Sequence, residues 1–125
     1  MDNKIIELGK SGYTIELRGY LSTKDVRNYT KKMLGLTYGL PDDEKIKAGV
    51  VALVEGQEFI LEKLIVKLTD KDNNEVDDPY NTLMDMPNDN TKEVFPIVQE
   101  IIESSTMSGE VKKNGQKPVS DGSKD

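Results

Sequence analysis

The 125-residue chain carries a net charge of −6, is 35% hydrophobic and 32% charged, and has no cysteine, histidine or tryptophan. Disulfides and thiol chemistry are thereby excluded, and the commonest general base is missing. The acidic balance disfavours nucleic acid and anionic lipid, and no stretch approaches the ~20 apolar residues of a membrane span, so neither partner is expected.

The length implies one domain. The N-terminus has no long apolar run of the signal-peptide kind, and a cytoplasmic location is expected. Residues 4–8 (KIIEL) read as a short strand, and Gly9-Lys10-Ser11-Gly12 as a turn with a glycine at each end. Tyr13, Ile15 and Leu17 then alternate with Thr14, Glu16 and Arg18, the period of a half-buried strand. Residues 4–18 are therefore a predicted β-hairpin. A lone hairpin is marginal in water, so its apolar face must lie on helices or pair with another chain.

Ser22, with Asp25 three residues later, marks a helix start. Val26, Tyr29, Met33 and Leu34 keep helical spacing, Lys31 and Lys32 suit a last turn, and Gly35 is placed to end the helix. Residues 43–68 then hold the longest apolar-periodic run. Ile46, Val50, Leu53, Val54, Ile60, Leu61, Leu64, Ile65 and Leu68 cover one broad side of a helix, the predicted core face. Asp42 and Asp43, after Pro41, are candidate N-caps. Ala48, Ala52, Phe59 and Val66 form a second stripe roughly opposite the first. A surface helix needs only one apolar side, so these four are the predicted protein-binding residues, with a second copy or a client as the partner; the rival reading is that the hairpin or the last helix covers the stripe as ordinary core, Phe59 above all. Gly49 and Gly56 share a narrower face. Either Gly56 breaks the run into two helices, or the glycines let another backbone come close.

After Leu68 the chain turns polar. Pro79 opens a predicted short helix over 79–85, with Tyr80, Leu83, Met84 and Met86 on its apolar side. Residues 91–104 read as the last helix, and because Pro96 is tolerable only near a first turn, the helix proper is expected to begin around Phe95 with a looser turn ahead of it. From Ser105 the composition cannot offset ordering entropy, and residues 105–125 are a predicted disordered tail. The expected fold is α+β: an N-terminal β-hairpin on a small bundle of helices, one domain over 1–104, then the tail.

Chemistry-bearing constellations are few. The carboxylate pairs Asp42/Asp43 and Asp77/Asp78 read as caps or solvated charge, not as general acids. Asp70, Asp72 and Asn74 match the opening of a calcium loop, but Glu75 stands where glycine is needed and Asn81 where a bidentate glutamate belongs. An exposed acidic turn is the better reading. Lys112, Lys113 and Lys117 lack the aromatic interleaving of a single-strand binder. Met33, Met84 and Met86 lie on or beside apolar faces, where methionine fills cores and adapts to variable partners. No cofactor, metal or enzyme activity is expected.

The layout from about residue 4 to 104 resembles the small tail assembly chaperones of long-tailed bacteriophages and prophages. The resemblance lies in Tyr13-Thr14-Ile15-Glu16-Leu17-Arg18-Gly19-Tyr20-Leu21-Ser22 leading into a helix with Asp25 and Arg27. It lies also in Tyr80-Asn81-Thr82-Leu83-Met84-Asp85-Met86-Pro87 before a final apolar helix. It implies a non-enzymatic protein that keeps the helix-rich tape measure protein soluble in the host bacterial cytoplasm during tail assembly. It further implies self-association, a longer frameshifted form and absence from the mature virion. The alternative is a structural part of the phage tail or head–tail connector.

Overall fold

The computed structural model describes residues 2–106. Where apolar and polar side chains alternate at the N-terminus, two strands form. β1 (Lys4–Glu7) and β2 (Thr14–Leu17) pair antiparallel, with Lys4 opposite Leu17 and Ile6 opposite Ile15. The turn between them holds Gly9 at φ 58° and Gly12 at φ 83°, left-handed values that suit glycine. Ser11 Oγ donates to the Leu8 carbonyl at 2.6 Å and accepts from the Tyr13 N–H at 3.1 Å. A Cβ at Gly12 would also stand 2.7 Å from Lys71 Cβ. Gly12→Ala is therefore expected to cost about 1–2 kcal/mol, read as a lower urea midpoint at unchanged slope.

The hairpin is present, but it belongs to a three-stranded sheet. β3 (Ile65–Thr69) pairs antiparallel with β2, giving the order β1-β2-β3. Periodicity carries the long helix to Leu68, whereas α2 (Asp42–Leu64) stops at Leu64. The reason is chemical. Ile65, Val66 and Thr69 are β-branched and favour a strand, and β2 offers them an edge of backbone partners. Arg18 secures the switch: its N–H donates to the Leu64 carbonyl at 2.9 Å, and its guanidinium to the Lys63 carbonyl at 2.7 Å. Glu16 pairs with Lys67 but Leu17 with Ile65, so Val66 is the extra residue of a bulge.

Before α2 comes α1 (Thr23–Thr37). Ser22 Oγ caps it by accepting from the Asp25 N–H at 3.1 Å, while the Asp25 carboxylate meets the Arg18 guanidinium at 3.0 Å. Gly35 does not end this helix. It continues to Thr37, and Gly39, at φ 79°, makes the left-handed turn after the Tyr38 cap, so Lys31 and Lys32 fall before the last turn. Asp42, Asp43 and Glu44 occupy the first turn of α2, where negative charge suits the helix dipole. They are not the cap: that place is held by Pro41, whose carbonyl accepts from the N–H groups of Glu44 and Lys45. Gly56 lies inside an unbroken helix.

Past a turn come α3 (Pro79–Met84), with Pro79 in its first turn, α4 (Asn88–Thr91) and α5 (Val94–Thr106). The last helix proper does begin beside Phe95, at Val94, and the turn ahead of it is the separate short α4. Pro96 falls in the first turn of α5, where its missing N–H has no helical partner to lose. The C-terminal boundary moves. Ser105 and Thr106 are helical, and Ser105 Oγ accepts from the Leu21 N–H at 3.3 Å. The remainder of the predicted tail, with Lys112, Lys113 and Lys117, lies outside the described residues.

The fold is α+β, with one core between sheet and helices. Ile6, Ile15 and Leu68 form a row across the inner face of the sheet, flanked by Leu8 and Leu17. Against them pack Ile60, Leu61 and Leu64 of α2 and Val94, Val98, Ile101 and Ile102 of α5, with Leu21 and Leu83 beside them. Among the described residues, no helix is long and apolar enough to cross a membrane.

Candidate functional site: an uncovered helical arm

The apolar side of α2 is one continuous face, covered along only part of its length. Ile60, Leu61 and Leu64 are fully buried against α5 and the sheet. Higher on the same face, Ile46 is 75% exposed, Val50 62%, and Leu53 and Val54 48% each. The upper half of α2 and the end of α1 thus form an arm. α1 adds Leu34 and Tyr38 to its exposed apolar surface.

Coverage ends where Gln57 Nε2 donates to Gln99 Oε1 of α5 at 3.2 Å. Beside this contact a cavity of about 480 Å³ opens between α2, α3 and α5. Val54, Gln57, Met84 and Phe95 line it, and Glu58 and Lys92 supply charge of both signs. The cavity continues the exposed face into the body of the protein. A concave end and a long aliphatic stripe together suit an amphipathic helix.

Of the four residues predicted from sequence to bind protein, Ala48, Ala52 and Phe59 share one side of α2 and Val66 is apart from them. Ala48 is half-buried and Ala52 buried, on the side of α2 that faces α1. On that same side a Cβ at Gly56 would lie 3.0 Å from Tyr29 Cε1 and 3.1 Å from Met33 Cε. Lys32 Nζ reaches Glu55 across this seam at 3.9 Å. Phe59 is half-buried, with Lys32 Nζ and Lys63 Nζ at 5.6 and 5.3 Å from its ring centre. Val66 is off the helix, in the bulge of β3.

Along the upper half of α2 the two stripes have therefore exchanged roles. The bulky stripe assigned to the core is bare, and the small-residue stripe is packed. Small side chains permit close approach of helices, and α1 takes that side. Gly56 is the glycine that allows it, through side chains of α1, while Gly49 has nothing within 4 Å. The signal in the sequence is Ala48, Ala52 and Gly56, small residues one turn apart.

The acidic turn is self-contained. Asp70 Oδ1 accepts from the N–H groups of Asp72 and Asn74, each at 2.9 Å, and Asn73 takes a left-handed φ of 71°. That carboxylate closes its own loop. Asp78 Oδ2 accepts from Asn81 Nδ2 at 2.9 Å. Among the described residues, no three of His, Cys, Asp or Glu gather where they could hold one metal ion. Two phenols titrate above their ordinary range: Tyr29 through burial and then Glu103, Tyr80 through burial and then Glu58 and Glu62.

Comparison with family models, curated proteins and solved structures returns no significant match. Function must therefore be read from the surface, and the arm is its most distinctive part. Monomeric proteins seldom expose contiguous apolar patches beyond roughly 300–600 Å². Here Ile46, Val50, Val51, Leu53 and Val54 of α2 and Leu34 and Tyr38 of α1 are all exposed on one helical hairpin.

Proposed function

We propose that the chain is a non-catalytic assembly chaperone of a bacteriophage tail. It shields apolar helical segments of the tape measure protein in the host cytoplasm and is left out of the finished virion. The observation that carries this reading is the bare upper face of α2, Ile46–Val50–Leu53–Val54. A client helix on that face would take the position that α5 holds lower down. The side chains there are aliphatic, with Met84 and Phe95 at the base, and so fit apolar helices of varied sequence. The resemblance in layout to tail assembly chaperones supplies the identity of the client.

The test is co-expression with an apolar helical segment of the tape measure protein encoded alongside this chain. The client is expected in the soluble fraction only when the chain is present, and the chain is expected to be missing from purified particles. A client that pellets equally with and without the chain would sink the proposal. Stoichiometric presence of the chain in particles would instead make it a structural tail or connector component.

A further inference from the structure

We infer that residues 34–54, the projecting part of the α1–α2 hairpin, form a unit that unfolds separately from the rest of the domain, with Gly35 and Gly49 keeping it weak. This deepens the proposed function, since it makes the client surface the least stable part of the protein.

Three observations carry the inference. First, α1 has no buried side chain anywhere along its length, and between Asp42 and Val54 only Ala52 is buried. Helices of this size are marginal in water without tertiary packing, and an alanine contributes little of it. Second, the large α1 side chains that crowd Gly56, Tyr29 and Met33, lie below the projecting part, and within it α2 offers α1 only the small side chains of Ala48 and Ala52. Within that part the ion pair is Lys45–Asp42 at 3.5 Å, fully exposed at the aspartate and worth little. Third, Gly35 and Gly49 stand inside the two helices with nothing within 4 Å of an added Cβ. No packing or backbone constraint requires glycine at either place, yet each weakens its helix. Below the seam, Ile60, Leu61 and Leu64 are locked into the core, so opening of the arm need not disturb it.

Hydrogen exchange on the full chain alone, followed by mass spectrometry, tests this without any client, so that it fails or holds separately from the chaperone reading. Amides of 34–54 are expected to exchange at least 100-fold faster than those of residues 60–64 and of β2. In the Gly35→Ala/Gly49→Ala variant the arm should slow by roughly twentyfold, the combined effect of two glycine-to-alanine changes in helix interiors. Core rates should not change. Arm amides protected as well as the core would overturn the inference, as would a variant in which arm and core slow together.

Discussion

A Val50→Asp/Leu53→Asp variant is expected to remain folded and to lose client solubilisation almost completely. Both side chains lie on the bare face of α2, 62% and 48% exposed, and neither belongs to the core cluster. Surface substitutions of this kind usually change stability by less than about 0.5 kcal/mol. In a complex the same carboxylates would be buried against apolar side chains. Desolvating an unpartnered charge is far costlier than losing a methyl contact. At interface hot spots a substitution costs about 2 kcal/mol or more, so two such losses should weaken binding by a factor on the order of 1000. Circular dichroism with thermal unfolding would establish the fold, and partition of a co-expressed client between pellet and supernatant would establish the activity. A folded variant that still keeps the client soluble would remove the upper face of α2 as the binding surface.

How much of this surface could be read in advance depended on the kind of signal. The hairpin was legible because Gly9 and Gly12 sit where left-handed backbone is needed, and because Ile15 and Leu17 alternate with polar neighbours. The existence of the long helix was legible too. Its end was not, because Leu61, Leu64, Ile65 and Leu68 continue helical spacing equally well after the chain has become a strand. The β-branched composition of 65–69 was the competing signal, and the free edge of β2 decided between them. Gly35 reads as the stop for α1, but the helix runs through it to Thr37 and the left-handed turn falls at Gly39, a shift that sequence spacing does not reveal. Which side of α2 is exposed was illegible for a deeper reason. Periodicity shows which residues share a face of a helix but not what covers that face. Ile46, Val50, Leu53 and Val54 look like core because they continue the face that becomes core at Ile60, and only the layout of α5 shows that coverage stops there.

That boundary predicts a sharp contrast between two identical residues. Leu53 and Leu64 lie on nearly the same face of α2, about three helical turns apart. Leu64 has no solvent exposure and packs in the cluster with Ile15, Leu17 and Val98, whereas Leu53 is 48% exposed. Leu64→Ala removes buried methyl groups and leaves a cavity between sheet and helices, so it should cost roughly 2–5 kcal/mol. For a domain of this size that corresponds to a fall in Tm on the order of 10 °C or more. Leu53→Ala loses only partial contact and keeps a strong helix former, so its cost should stay below about 1 kcal/mol. Helix propensity is nearly the same for both changes and drops out of the comparison, leaving burial as the difference. Urea titration of the two variants would measure it. Equal losses would mean that Leu53 is covered in solution by something absent from the isolated chain, most simply a second copy. Repeating the titration over a range of protein concentrations would decide that, because stability supplied by a second copy rises with concentration, whereas packing within one chain does not.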